Sequence, residues 1–282
     1  MQDKVVVITG GTDGIGKATA RGLMRLGARV AIVGRNSEKA REVASELAAV
    51  TEKDQPLVFI ADLSLPSQVK RVALEIKAAL PTIDVLINNA GAFFTKREIN
   101  SEGFEQTFAL NHLNYFVLTH HLLEPLQKAK QGRIINVASE AHRRTSLDFN
   151  DLQGEASFSA WKAYQRSKLA NIMFSHQLAQ RLQGTRVTSN SLHPGFVSSR
   201  FGQGSLRSGM SLLIKVGQIF IGINEEEGAR TPIFLASSPE VAQISGRYFI
   251  KCHERSPSSE AEDRSSQKRL WQITEELVAR SL

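Results

Sequence analysis

Three observations predict an α/β fold, a three-layer, doubly wound parallel sheet of about seven strands with helices on both faces. Short runs of β-branched and aliphatic residues alternate along the chain with stretches at helical spacing. Most of those runs end in Gly, Asn, Asp or Ser, the residues that turn a strand into the next helix. The length of 282 residues suits one large α/β domain, with neither an internal repeat nor a second domain.

Val5-Val6-Val7-Ile8 reads as a buried first strand. It runs into Thr9-Gly10-Gly11-Thr12-Asp13-Gly14-Ile15-Gly16, after which Ala18, Ala20, Leu23, Met24, Leu26 and Ala28 mark a helix that Gly27 stops. Arg29 to Val33 is the second strand and closes on Gly34-Arg35-Asn36, with Ser37 expected to cap the next helix. Leu57 to Ile60 is the third, ending at Ala61-Asp62-Leu63-Ser64, and Pro66 opens the helix behind it. Ile83 to Ile87 is the fourth, ending at Asn88-Asn89-Ala90-Gly91. A long helical region from Gly103 to Lys130 follows, then a fifth strand, Arg133 to Val137, that leads to Ser139. Ser159 to Leu182 reads as a helix and Arg186 to Leu192 as a sixth strand before His193-Pro194-Gly195. Beyond a Gly/Ser-rich loop and a lipophilic stretch (Met210 to Ile223), Glu225 to Ala236 is helical and Gly246 to Ile250 is a last strand. Glu254 to Ser266 is polar and expected to be loose, and Gln267 to Leu282 is an amphipathic terminal helix.

Ligands of such sheets bind beyond the carboxyl ends of the strands, so the chemistry is expected there. A glycine-rich turn between a strand and a helix lets the backbone approach a pyrophosphate, whose charge rests on the helix N-terminus. The second strand ends without the carboxylate that would accept hydrogen bonds from a ribose 2′-hydroxyl. It presents Arg35 instead, a side chain suited to a 2′-phosphate, so the expected cofactor is NADP(H) in preference to NAD(H). Tyr164 and Lys168, four residues apart, share one helix face. An ammonium beside a phenol favours the phenolate, and a tyrosine tuned in this way can exchange a proton with an alcohol or carbonyl oxygen.

The order of these features carries a resemblance. Thr-Gly-x-x-x-Gly-x-Gly follows strand one, Asn-Asn-Ala-Gly strand four, Asn111 sits on the next helix and Ser139 ends strand five. Tyr164 and Lys168 come 25 and 29 residues after that serine, and Pro194-Gly195 closes strand six. The pattern resembles the short-chain dehydrogenase/reductase family, a Rossmann fold, over residues 3 to 250. The resemblance implies Tyr164 as acid/base. It implies Lys168 as the residue that binds the nicotinamide ribose and lowers the Tyr164 pKa. Ser139 would hydrogen-bond the substrate oxygen, and Asn111 would hold a water that links Lys168 to solvent. Gly10, Thr12, Asp13, Gly14, Ile15, Gly16, Arg35, Asn36, Asp62, Leu63, Asn89, Ala90, Gly91, Pro194 and Gly195 would join Tyr164 and Lys168 around the cofactor, with Asp62 at the adenine.

Thr-Gly-Gly-Thr-Asp-Gly-Ile-Gly-Lys, Gly-Arg-Asn, Ser139-Glu140-Ala141-His142, Ser-Lys-Leu-Ala-Asn and His193-Pro194-Gly195 resemble the retinol dehydrogenase branch. The implied reaction interconverts a carbonyl and an alcohol on a lipophilic retinoid-, steroid- or fatty-aldehyde-like substrate. A sensor or scaffold, a reductase of C=C bonds and an epimerase are alternatives on the same fold. By the same resemblance, residues 3–200 form the cofactor-binding and catalytic core and 201–236 a substrate lid; beyond it, 254–282 are the polar segment and the terminal helix. The long helices Gly103 to Lys130 and Ser159 to Leu182 would be the contacts of a homodimer or homotetramer.

Composition limits the other classes. The net charge of +7 is spread over the domain without a block of five or six like charges, and aromatics make up 7%, which argues against a nucleic-acid surface. Cys252 is the only cysteine, so the chain has no internal disulfide, and its histidines lack metal-ligand spacing. The lipophilic stretch is too short and too interrupted to span a bilayer. With the first strand starting near residue 4, the expectation is a cytoplasmic protein with no anchor and no integral membrane segment. His142 and His193 flank the expected cleft as candidate substrate contacts.

Overall fold

The computed structural model describes residues 1–52, 54–195 and 224–281. Among the described residues eight strands form one sheet: β1 (Val5–Thr9), β2 (Arg29–Gly34), β3 (Leu57–Ile60), β4 (Val85–Asn88), β5 (Gly132–Val137), β6 (Val187–His193), β7 (Tyr248–Ile250) and β8 (His253–Arg255). Their spatial order is β3-β2-β1-β4-β5-β6-β7-β8, parallel through β7. The chain reverses its direction of travel across the sheet between β1 and β4, which opens a crevice at their carboxyl ends.

Strand side chains alternate between the faces, and each face has its own core. Val7, Ala31, Val33, Leu86 and Ile134 join one core; Val6, Ile8, Val30, Ile32, Val85 and Ile87 join the other. Helices α1 (Gly14–Arg25) and α2 (Ser37–Thr51) cover the second face. Helix α3 (Pro66–Ala79) covers the first. Asn36, not Ser37, caps α2, its side chain accepting from the Lys39 amide at 2.9 Å. Pro66 occupies the first turn of α3, as expected.

The long helix predicted from Gly103 is a composite. A short turn, α4 (Gln106–Phe108), runs through a π-helical turn (Ala109–Leu113) into α5 (Asn114–Lys128). Such π turns mark functional sites, and this one carries Asn111. Helix α6 (Ala160–Arg181) begins where Ser159 was expected to open it. Helix α7 (Glu225–Ser237) packs on α1, with Ile233 against Gly22. The Gly/Ser-rich loop, the lipophilic stretch and the lid segment before Asn224 lie outside the described residues.

The C-terminal region departs most from expectation. Strand β8 adds antiparallel to β7 through a two-residue turn in which Lys251 and Cys252 take φ values of 50° and 64°. Such turns are usually written Asn-Gly or Asp-Gly, and Lys-Cys gives no such signal. The polar segment expected to be loose holds β8, α8 (Ser259–Glu262) and the start of α9 (Arg264–Ser281). Helix α9 lies on α6 and reaches α5. Its Trp271 stacks on Phe174 (ring centroids 5.8 Å) and meets Phe116 edge-on (4.9 Å), while Thr274 Oγ1 lies 2.9 Å from His112 Nε2. At Phe116 and Phe174 the chain's own terminal helix covers α5 and α6, the two helices named above as subunit contacts.

Candidate active site

The carboxyl ends of β1, β4, β5 and β6 gather the predicted residues around the crevice. In the glycine turn, Gly16 passes so close to β1 that a Cβ would stand 2.2 Å from the Gly10 carbonyl oxygen. Asp13 accepts from the Gly14 amide and pairs with Lys39 of α2. The amides of Ile15 and Gly16 in the first turn of α1 have no helical acceptor, the arrangement that receives a pyrophosphate. Thr12 sits against Gly34, which brings the turn beside Arg35, an exposed guanidinium at the end of β2. These features fit a dinucleotide carrying a 2′-phosphate.

Other cofactor candidates have structural duties. Asn89 donates to the Thr9 carbonyl at 2.8 Å, and the Thr9 hydroxyl accepts the amides of Asn89 and Ala90, so β4 is stitched to β1 beneath the turn. One Asp62 oxygen accepts the amide and hydroxyl of Ser64 and shapes the bend into α3, while Leu63 is buried. Asn36 spends its side-chain oxygen on its cap. Pro194 and Gly195 follow His193 beyond β6, where the described segment ends.

On α6 the face is built by spacing: Tyr164, Ser167, Lys168 and Asn171 recur at positions i, i+3, i+4 and i+7. Lys168 Nζ donates to the Val137 carbonyl at 3.1 Å and lies 5.7 Å from the centre of the Tyr164 ring. Tyr115 and Asn171 donate to the same carbonyl, so the last residue of β5 is the lysine's anchor. Asn111 is fully buried; its oxygen accepts the Ala92 amide, and its nitrogen donates to the Ala92 carbonyl and to Ser167 Oγ. Ser167 in turn donates to the Tyr164 carbonyl at 2.8 Å. Asn111 therefore ties the loop after β4 to the helix that carries Tyr164.

The electrostatics correct one expectation. Burial pushes the Tyr164 phenol up to about 12, against a smaller opposing effect of its hydrogen bond with Ser139. Burial also brings Lys168 from 10.5 down to about 8. Desolvation disfavours charge on both groups and dominates both titrations. Tyr164 thus keeps its proton at neutral pH.

Sequence reasoning passed over Phe93, Trp161 and Ser167. The Phe93 ring meets Tyr164 edge-on at 5.8 Å, and half-exposed Trp161 stacks beside Tyr164 at 6.0 Å. Trp161 and Ser167 stand three residues either side of Tyr164, a spacing that could have placed both on its face. His142 and His193, expected at the cleft, are buried. The described residues contain no metal-binding cluster and no helix long and apolar enough to cross a membrane.

A sequence profile of the short chain dehydrogenase family matches residues 4–208. The chain belongs to the short-chain dehydrogenase family. Human retinol dehydrogenase 14 is 40% identical over 296 residues, covering 99% of this chain and 87% of that protein. Mouse retinol dehydrogenase 12 is 40% identical over 275 residues, covering 98% and 86%. Among solved structures, an NADP complex of Pseudomonas aeruginosa RhlG superposes with a TM-score of 0.71 at 27% identity, covering 88% of this chain and 94% of that one. An uncharacterized protein from Mycobacterium paratuberculosis reaches 0.79 at 29% identity, covering 99% and 94%. As a retinol dehydrogenase-like member of this family, the chain is an oxidoreductase of CH–OH groups that uses a nicotinamide cofactor.

Proposed function

We propose that this chain interconverts a lipophilic aldehyde or ketone and its alcohol with NADP(H), through Tyr164, Lys168, Ser139 and Asn111. The observation that carries the reading is Tyr164: a buried phenol that keeps its proton, hydrogen-bonded to Ser139 and backed by a lysine on the same helix face. A bound nicotinamide supplies the hydride. The Ser139 hydroxyl and the Tyr164 O–H converge on the substrate oxygen, and Tyr164 gives it a proton as negative charge develops there. The Lys168 ammonium, fixed by the Val137 carbonyl, supports the phenolate left behind. Asn111 holds the loop at Ala92 beside the lysine. In the oxidative direction Tyr164 takes the proton back.

Arg35 and the lack of a carboxylate at the end of β2 support NADP(H) over NAD(H). Phe93 and Trp161 beside Tyr164, together with relatives named retinol dehydrogenases, support a retinoid or another long apolar carbonyl compound. With α9 on the α5–α6 face, this reading does not require a dimer through those helices.

The test is NADPH consumption over aldehydes and ketones of increasing chain length, with retinal and steroids included. Turnover is expected to rise with apolar length. The Tyr164→Phe variant is expected to bind NADPH and to lose turnover by about 10²-fold or more. Unchanged turnover in that variant would remove Tyr164 from the chemistry.

A further inference from the structure

We propose that His142, as a neutral imidazole protonated on Nδ1, is a positioning residue that locks the Ser139 turn onto the C-terminal segment of this chain. The proposal rests on Ser139 being the residue that meets the substrate oxygen.

Ser139 ends the approach from β5 in extended conformation and is followed by a single 3₁₀ turn, Glu140–His142. Its carbonyl oxygen accepts the His142 backbone amide at 3.1 Å and His142 Nδ1 at 2.7 Å. A carbonyl only accepts, so Nδ1 carries the hydrogen. The Ser258 amide lies 3.1 Å from His142 Nε2 on the other side of the ring. A backbone amide only donates, so Nε2 is bare. These two contacts together exclude the other tautomer and the imidazolium. The ring has no nitrogen left for substrate or metal, and the side chain is fully buried. His142 thus acts inward, on the backbone of Ser139.

A second grip runs in parallel. Tyr248 on β7 donates to one oxygen of Glu140 at 2.9 Å, and its ring meets His142 edge-on at 5.2 Å. Arg143 binds the other Glu140 oxygen and donates to the Ser256 carbonyl at 2.9 Å. The turn after the serine therefore holds residues 256 and 258 at two points and β7 at a third. Ser139 Oγ accepts the Ala141 amide at 3.2 Å while bonded to Tyr164, so rotation of this turn would carry the hydroxyl away from the phenol. A displacement of about 1 Å at a reacting group can lower a rate by 10²-fold.

The groups facing the imidazole are Glu140 and Arg143 on its own turn, Tyr248 on β7, Glu260 on α8 and His193 at the end of β6. Burial outweighs the two carboxylates and holds His142 below its ordinary 6.5, in keeping with the neutral form.

Four variants of the full chain test the proposal, assayed with NADPH and with all-trans-retinal or decanal as the carbonyl probe. His142→Phe is expected to lower kcat about 10-fold or more with the KM for NADPH unchanged. His142→Asn, which can still donate to the Ser139 carbonyl, is expected to recover part of that loss. Ser258→Pro removes the amide at a φ of −74° that proline accepts. It is expected to lower kcat and to raise the pH of the acid limb. Ser258→Ala keeps the amide and is expected to cost thermal stability alone. Ser139→Ala separates the two readings. If it keeps full kcat, the role given to Ser139 fails; if it collapses while a folded His142→Phe and Ser258→Pro keep theirs, only the present proposal fails. Long-range ¹H–¹⁵N spectra give a readout independent of turnover. An Nδ1–H signal for His142 is expected near neutral pH, and an Nε2–H signal would overturn the proposal whatever the kinetics.

Discussion

Gly91 and Lys168 stand so close that a methyl group on the glycine would lie 3.3 Å from the lysine Nζ and 3.1 Å from Asn111 Oδ1. The loop after β4 thus passes the lysine with no room for a side chain. Nζ is the end of a flexible chain and can give way, whereas Asn111 is held by Ala92 and Ser167. Gly91→Ala is expected to fold with a stability loss of about 1 kcal/mol. By moving the ammonium off Val137, it is expected to lower kcat far more than this stability loss implies. Thermal melts and steady-state kinetics on one preparation check it.

Burial of Lys168 has a measurable pH signature. Its folded value of about 8 lies below the ordinary 10.5, so the unfolded chain binds this proton more tightly between the two. The stability cost is full below about pH 8 and is relieved as pH rises toward 10.5. The difference in melting temperature between the wild type and Lys168→Met is expected to move in favour of the wild type across that window. A flat difference would place the lysine in water. For the reduction, loss of the ammonium above about pH 8 is expected to lower kcat/KM, with Tyr164 still protonated up to about 12.

Arg35 tests the cofactor reading directly. A charge-assisted contact to a 2′-phosphate contributes roughly 1.5–3 kcal/mol, or about 10- to 150-fold in Kd. Arg35→Ala is expected to weaken NADPH binding by that factor and to leave NADH binding unchanged, as read by titration of the intrinsic fluorescence. Equal losses for both cofactors would assign Arg35 a structural part.

Trp271 tests the terminal helix. Its ring lies against Phe116 and Phe174 under the Arg181 guanidinium, which sits 4.2 Å from the ring centre. Trp271→Ala is expected to cost about 3 kcal/mol in chemical denaturation. The buried Nε1 has no hydrogen-bond partner among the described residues, so Trp271→Phe is expected to cost much less.

Most of the sheet could be read from the residues because parallel strands buried on both faces are continuous apolar runs. Val5 to Ile8 and Val85 to Ile87 are such runs, and the glycine and asparagine turns after them mark the carboxyl edge. Tyr164 and Lys168 were legible for a similar reason, since helical spacing alone puts them on one face. Strand β8 was not, because its turn places Lys251 and Cys252 in a left-handed conformation that neither residue announces.

The sequence by itself determined the alternation of strands and helices, the glycine turn, Arg35 after β2 and the Tyr164–Lys168 face, all consequences of local spacing and residue type. Tertiary structure alone decided how far burial moves the titration of Tyr164 and Lys168, since desolvation depends on every element packed around them. It also decided that Asn111 spends its side chain on Ala92 and Ser167, and that the terminal helix lies on α5 and α6. Last, it joined His142 to Ser258 across 116 positions of sequence. Contacts at that separation depend on how the sheet brings its ends together, and no local pattern encodes them.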